Sequence, residues 1–332
     1  MQCRIPQRYR LAASLLCVIL LLGNVGMAHL AIVWPSTVAK SGAPGPAPDE
    51  GGATGGALSP GPYPYLIGEK NKCREGKEAP FLVLLITVQA QQRDRRDAIR
   101  STWGNKSLEL LPQGRQSVVP LFLLGGEKAG LRGRLQQMAL ESESLRHHDI
   151  IQQDFLDSYN NLTLKTLMGL NWVAMRCPQA TFVMKTDSDV FVNTRYLVDK
   201  LLRLTPRVEN YITGGILNGT GPIRDKRNKW YVSKDDYPGH TYPVYLSGTG
   251  YVFSGDLAAK IYNTSLSVPP FIFEDVHVGM RLAELGIEPT PPLPNEFNNL
   301  PVPWSGHGYS RLVTSHMVSP SDMLEFWTRL QH

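Results

Sequence analysis

Two acidic pairs in this chain have the spacing and surroundings to do chemistry. In Phe182-Val183-Met184-Lys185-Thr186-Asp187-Ser188-Asp189-Val190-Phe191-Val192, two carboxylates one residue apart interrupt two apolar triplets. Such a pair at the end of an apolar strand can approach one point. Hard oxygen donors there suit Mg²⁺ or Mn²⁺, a cation that would neutralise a diphosphate. An Asp-x-Asp alone is expected roughly 0.7 times by chance in a chain of this composition. The context adds information, because carboxylates between apolar segments are costly to bury unless a cation or hydrogen bonds satisfy them.

The second pair, Glu274-Asp275, follows the strand-like Phe271-Ile272-Phe273 and precedes the helical Met280–Leu285. Carboxylates at such a junction either serve as a general base or cap the free N–H groups of the helix. Between the two pairs lies Leu246-Ser247-Gly248-Thr249-Gly250-Tyr251, whose glycines permit close backbone approach to a ligand. The spacing is not Gly-x-Gly-x-x-Gly, so a dinucleotide site is not supported. His316 follows the strand-like Leu312-Val313-Thr314; an isolated histidine is by itself more often structural than a ligand.

These residues need a scaffold that brings strand ends together. Phe81–Val88 is a continuous apolar run suited to a strand buried on both faces. It is followed by a polar helix over Arg93–Thr102, short apolar runs at Val118–Leu124, His148–Ile151 and Thr181–Met184, and helices over Leu131–Leu145 and Leu162–Met175. Strands alternating with helices predict an α/β domain with a largely parallel sheet, whose ligands sit beyond the carboxyl ends of the strands.

The rest of the 332 residues sets the compartment. Leu11–Trp34 is uncharged and dominated by Leu, Val, Ile and Ala, long enough to span a bilayer, and Arg4, Arg8 and Arg10 precede it. Positive flanks stay cytoplasmic, so this reads as a type II anchor with everything beyond it luminal. A cleaved signal peptide over Leu11–Leu22 is the competing reading, with the same luminal destination. The formal charge of +5 is mostly a topology signal: residues 1–72 hold six of the 34 Lys/Arg but three of the 29 Asp/Glu. No basic stripe with interleaved aromatics follows, which speaks against nucleic acid.

Between Pro35 and Pro64, 14 of 30 residues are Gly or Pro, a composition that cannot offset its ordering entropy and reads as a stem. The expected organisation is a cytoplasmic tail over 1–10, an anchor over 11–34, a stem over 35–70 and one luminal domain over 71–332. Sequons at Asn105, Asn161, Asn218 and Asn263 agree with a luminal fate. Cys73 and Cys177 are an even pair outside the anchor, either a disulfide or two buried thiols.

Taken in order, Pro80–Ile86, Arg96-Asp97-Ala98-Ile99-Arg100-Ser101-Thr102-Trp103-Gly104, Asp157-Ser158-Tyr159-Asn160-Asn161-Leu162-Thr163-Leu164-Lys165-Thr166, Lys185–Asp189, Lys229-Trp230-Tyr231, Ser247–Tyr251 and Glu274-Asp275-Val276 resemble the β1,3-galactosyltransferase branch of the β1,3-glycosyltransferases across residues 71–331. The resemblance implies a single-pass type II Golgi membrane enzyme with a GT-A-like nucleotide-sugar domain. It implies inverting transfer of galactose from UDP-galactose, with Mn²⁺, to a β-N-acetylhexosamine of a glycan acceptor.

By the same resemblance, Asp187 and Asp189 lie around the metal and UDP, with Asp189 the more direct ligand and His316 the C-terminal metal histidine. Asp275 resembles the base, and Arg96 and Arg100 lie in the UDP-binding region. Trp230 and Tyr231 match the acceptor-side aromatics, and Gly248, Thr249, Gly250 and Glu274 fall in acceptor-side segments. UDP-N-acetylglucosamine is the alternative donor, and a luminal binding protein or chaperone of the same fold the alternative class. A phosphohydrolase lacks ligands for a second metal.

The chain departs from the branch at several positions. Leu246 and Arg281 stand where cysteines are usual, Asn298–Leu312 contains no cysteine, His277 replaces a tyrosine, and the Asn298–Tyr309 segment diverges.

Overall fold

The computed structural model describes residues 61, 63–73, 79–105, 117–203, 205 and 208–331. The expected tail, the anchor and most of the stem lie outside these. Among the described residues no helix is long and apolar enough to cross a membrane.

Seven strands form one sheet in the order β1-β4-β3-β2-β5-β8-β7. They are β1 (Tyr65–Ile67), β2 (Leu82–Thr87), β3 (Val118–Gly126), β4 (Ile150–Leu156), β5 (Phe182–Asp187), β7 (Ile212–Leu217) and β8 (Tyr245–Ser254). The strands β4, β3, β2 and β5 are mutually parallel, as continuous apolar runs predict, and every residue of β2 is buried.

The sheet is nonetheless mixed rather than largely parallel. The edge strand β1 and the strand β8 pair antiparallel with β4 and β5, and β7 pairs antiparallel with β8. The glycine-containing segment Ser247–Tyr251 is thus part of a strand, tied by cross-strand bonds to the one that ends in Asp187.

A small sheet, β6 (Phe191–Val192), β9 (Phe297–Asn298) and β10 (Thr314–Ser315), is ordered β6-β10-β9 and carries the chain past the end of β5.

Alternation along the strands fills two apolar layers. Leu82, Leu84 and Ile86 face α1 (Arg93–Ser101) and α6 (Pro320–Leu330), together with Phe191 and Tyr309. Val83 and Leu85 face α3 (Leu162–Arg176), α4 (Asp256–Ser265) and α5 (Glu274–Glu284). The helix α2 (Leu131–His147) adds Leu140 to the first layer. Ser319 caps α6 by accepting the Asp322 N–H, with Pro320 in the first turn.

Two boundaries move. The folded domain begins before residue 71: Tyr65 and Ile67 pair with β4, and Trp172 Nε1 donates to the Gly68 carbonyl. The expected stem therefore ends in a sheet strand, a three-residue edge too short to read against its Gly/Pro-rich background. At the second acidic pair, Phe271–Phe273 is not a strand and the helix starts at Glu274 itself.

Cys73 and Cys177 form a disulfide that joins the segment after β1 to the end of α3. The sequon residues Asn218 and Asn263 are exposed, Asn105 is half-buried, and Asn161 donates its amide to the Leu156 carbonyl at 2.7 Å.

Charge is also buried in this scaffold. Arg96 makes a two-point contact with Glu143 at 2.7 and 2.8 Å and donates to the Gln89 and Ala90 carbonyls. Arg100 binds Asp149 and the same Glu143, and stacks over Phe122. Breaking one partner of a buried pair leaves uncompensated charge and costs about 3–5 kcal/mol. Glu143→Gln is expected to lose that much in urea unfolding at neutral pH.

Burial opposes the charge on Glu143, but the two arginines hold its carboxyl down at about 2. The unfolded chain takes up this proton first, so stability falls as pH drops from about 4.5 toward 2. That part of the acid loss should be missing from the variant. Identical pH profiles of stability would remove the role assigned to Glu143.

Candidate functional site

The carboxyl ends of β2 and β5 stand in register, Thr87 opposite Asp187, and here the polar groups collect. At the centre is Lys185, whose side chain is 2% exposed. Its ammonium contacts Asp187 Oδ1 at 2.9 Å, Glu274 Oε2 at 3.0 Å and the Gly248 carbonyl at 2.6 Å. Burial opposes this charge, and the two carboxylates overcome it and raise the pKa. Thr87 Oγ1 adds a bond to Asp187 Oδ1 at 2.7 Å, and Tyr251 donates to Glu274 Oε1 at 2.5 Å.

This arrangement sorts the four acids. Asp187 directs Oδ1 inward to Lys185 and Thr87, so one oxygen of the carboxylate that ends β5 is engaged within the protein. Glu274, expected on the acceptor side, is instead buried against Lys185 and Tyr251 and presents nothing outward.

Asp275 is different. It is partly exposed and accepts only main-chain donors, Gly248 N–H at 3.3 Å and Val276 N–H at 2.9 Å. Burial pushes its carboxyl above the ordinary aspartate value against those two bonds and the charge of Lys185, and Asp187 adds to the rise. Gly248 eases the packing of the neighbouring Glu274, since a Cβ there would lie a tight 3.3 Å from Glu274 Oε2.

Asp189 lies beyond the strand end and faces His316, with Nε2 3.6 Å from Oδ1. His316 donates from Nδ1 to the Asn299 carbonyl at 3.0 Å. That bond fixes Nδ1 as a donor, so Nε2 is the nitrogen that faces Asp189 and that would offer its lone pair once deprotonated. One oxygen and one nitrogen donor converging from two elements fit a divalent cation that keeps its other positions for phosphate and water. Asp187, expected as a third ligand, has Oδ1 held by Lys185 and Thr87 while its side chain stays 30% exposed, and no group of three His, Cys, Asp or Glu converges among the described residues.

Arg96 and Arg100, expected at a nucleotide, spend their donors inside the protein. Arg96 is 1% exposed and pins the Gln89–Ala90 turn after β2. The neighbouring Arg95, which the sequence reading passed over, reaches the site. It donates to the Ser188 and Val318 carbonyls at 3.4 Å, its charge lowers the pKa of Asp189 alongside that of His316 against burial, and it has no ion pair among the described residues.

On the far side, Trp230 and Tyr159 are about half exposed, at 47% and 51%, and Trp230 Nε1 donates to the Tyr159 hydroxyl at 3.2 Å. Lys229 covers the indole at 4.4 Å. Tyr159 follows Asp157, whose buried pairing with Lys165 ties α3 to the ends of β2 and β3 through Val88 O and Gly125 N. The signal for Tyr159 was its place two residues after that motif aspartate. Tyr231 is half-buried, bridged to Ile223. Gly248 and Thr249 are partly exposed, whereas Gly250 is buried against Thr314 and Met184.

Comparison with known proteins gives three findings. Residues 94–292 match the galactosyltransferase family model. Human β-1,3-galactosyltransferase 2 is 52% identical over 273 residues, which are 81% of this chain and 62% of that protein. Mouse β-1,3-galactosyltransferase 1 is 46% identical over 271 residues, 81% of this chain and 79% of that protein. The chain thus matches rather less than two thirds of the length of the type 2 protein.

Lys185 gives the site a test independent of turnover. Lys185→Met leaves the buried Glu274 and the half-buried Asp187 without their cation, and is expected to cost about 3–5 kcal/mol in urea unfolding. Adding Glu274→Gln removes one stranded charge and should restore part of the loss. Additive losses in the double variant would show that the two residues do not act as a pair.

Proposed function

The chain belongs to the galactosyltransferase family, and on that premise we propose that it transfers galactose from UDP-galactose to an N-acetylhexosamine-terminated glycan, forming a β1,3 linkage with inversion. The observation that carries this reading is the division of labour among the acids. Asp189 and His316, which face each other at 3.6 Å, and Asp275, which has no ion pair among the described residues, flank the same stretch of β8 through Asn299 and Gly248. The β-1,3-galactosyltransferases to which the chain is similar support the same reading. A GT-A-like nucleotide-sugar fold is consistent with a mixed sheet whose ligand groups gather at the ends of β2 and β5.

Inversion in one displacement needs a base on the acceptor side and no second carboxylate as nucleophile. Asp275 would take the proton of the acceptor hydroxyl as that oxygen bonds to the anomeric carbon and UDP departs. Glu274 is held by Lys185 and Tyr251 and does not compete for the proton. Asp189 and His316 would hold Mn²⁺, which when bound neutralises charge developing on the leaving diphosphate. Arg95, beside Asp189, would add a fixed positive charge on that side. Trp230 and Tyr159 would offer the acceptor sugar aromatic and hydroxyl surface. Arg4, Arg8 and Arg10 before an apolar Leu11–Trp34 support a Golgi membrane location with this domain in the lumen.

The test uses the full-length protein with UDP-galactose, Mn²⁺ and a panel of N-acetylglucosamine- and galactose-terminated acceptors. Asp275→Asn is expected to fold, to bind UDP with Mn²⁺, and to lose about 10²–10⁴-fold in turnover. Because the base acts ionised and burial raises its pKa, the acid limb of wild-type kcat/KM should lie above that of an exposed aspartate. Near-normal turnover by Asp275→Asn would remove it from the base role. Binding without turnover by the wild-type protein across all donors and acceptors would replace the transferase reading with a luminal binding protein.

A further inference from the structure

We propose that Asn299 reads the transferred sugar: its side-chain amide donates to a hydroxyl of the donor hexose, while its main-chain carbonyl holds His316 in place. This rests on the transferase reading above and deepens it by naming a residue that selects the hexose.

Asn299 lies just after β9, in the Asn298–Tyr309 segment that diverges from the resembled pattern. Its carbonyl accepts from His316 Nδ1, so the main chain at this position sets the cation side of the site. Its side chain faces the other way, toward β8. Ser247 Oγ and Thr249 Oγ1 are 3.0 Å apart, and Thr249 Oγ1 donates to Asn299 Oδ1 at 3.2 Å. With Thr249 donating onward, Ser247 donates to Thr249, and the chain of hydroxyls has one direction. A primary amide has one acceptor and two donors, so a carbonyl committed to Thr249 turns Nδ2 outward.

That nitrogen has no hydrogen-bond partner among the described residues, and Asn299 is exposed. The position is also sterically prepared. A Cβ at Gly215 would lie 3.1 Å from Asn299 Oδ1, so the bare glycine lets the amide lie against the sheet.

The location follows from the reaction. In a single displacement the hexose lies between its leaving diphosphate, at Asp189 and His316, and the acceptor oxygen, at Asp275. Gly248, Thr249 and Asn299 border that interval: Gly248 touches Asp275, Thr249 touches Asn299, and Asn299 touches His316. Two amide donors facing it suit a ring hydroxyl. A site built to hydrogen-bond a hydroxyl discriminates far more strongly than an apolar wall, because the wrong sugar leaves its polar groups unpaired.

The test compares wild type, Asn299→Ala, Asn299→Asp and Gly215→Ala as full-length proteins. Read-outs are kcat/KM for UDP-galactose, UDP-glucose and UDP-N-acetylglucosamine, dissociation constants for UDP and UDP-galactose by titration calorimetry, the Mn²⁺ activation constant and the acceptor KM. Asn299→Ala is expected to lose about tenfold in kcat/KM for the preferred donor, with a similar collapse of its preference over the other two. The affinity gained by UDP-galactose over UDP should fall, while UDP affinity and the Mn²⁺ constant stay within about twofold, because the His316 partner is main chain. Asn299→Asp removes the donors at nearly constant shape, and Gly215→Ala displaces the amide without altering it; both should shift the donor ratio the same way. Unchanged donor ratios in all three variants overturn the proposal, as does a loss confined to the Mn²⁺ constant or to acceptor KM. A wild-type protein that prefers another UDP-sugar corrects the donor in the preceding section, and the ratios still decide the role of Asn299. No wild-type turnover at all, with UDP-galactose binding no tighter than UDP in wild type and variants alike, overturns both.

Discussion

The ammonium of Lys185 is the constraint on which the site depends. A buried lysine alone would be strongly disfavoured; it persists because two carboxylates and a carbonyl surround it at 2.6–3.0 Å. Those partners come from three elements: Asp187 ends β5, Gly248 lies in β8 and Glu274 opens α5. One charge therefore fixes the position of a strand end, a strand interior and a helix start relative to one another. It also lets four acids share a small region. Without it, Asp187, Glu274 and Asp275 would raise one another's pKa values, and the region would relieve the repulsion by protonation or by moving apart.

Long apolar runs and their spacing made the inner parallel strands and the flanking helices legible in the sequence. β2 and β3 fall within two residues of their expected positions and β5 starts within one but runs three residues further, because a strand buried on both faces can be little else than apolar and the polar end of β5 lies beyond that run. β4 starts two residues later and runs further than expected, since its polar Gln152 and Gln153 hide it. What escaped was pairing direction and long-range partnership. The antiparallel β8 looks like a glycine loop because its glycines serve close approaches to neighbouring side chains. Arg96 looks like a ligand-binding cation, and its actual partner, Glu143, stands 47 residues away on another helix. No local pattern carries that information. Lys185 did leave a signal, a lysine within an apolar strand, which demands buried carboxylates nearby.

The adjacent Glu274 and Asp275 show how one helix start can make two unlike acids. Both sit in the first turn of α5, where the helix dipole favours a carboxylate. Side-chain direction then separates them. Glu274 turns into the sheet and meets a cation and a phenol; Asp275 turns along β8 and meets only main-chain N–H groups.

Asp275 also needs a fixed helix beneath it, and a neutral histidine supplies part of that. Two residues beyond Asp275, His277 accepts the Phe271 N–H at Nδ1 and lies 3.0 Å from Ser265 Oγ through Nε2. Ser265 in turn donates to the Ile261 carbonyl at 2.7 Å, so the end of α4, the Phe271 turn and α5 are joined by one hydrogen-bonded chain. Burial, aided by the charge of Arg281, pushes the imidazole down to about 4, which keeps it neutral near neutral pH. The direction of the bonds follows: Nδ1 accepts, Nε2 donates, and the serine passes the bond to the helix. A tyrosine at this position would bring a donor and an acceptor on one oxygen at the end of a longer ring, and could not satisfy the Phe271 N–H and Ser265 from two separated edges. The histidine therefore belongs to a locally different solution for holding the same helix start, and the carboxylate of Asp275 keeps its place because its support is satisfied without charge.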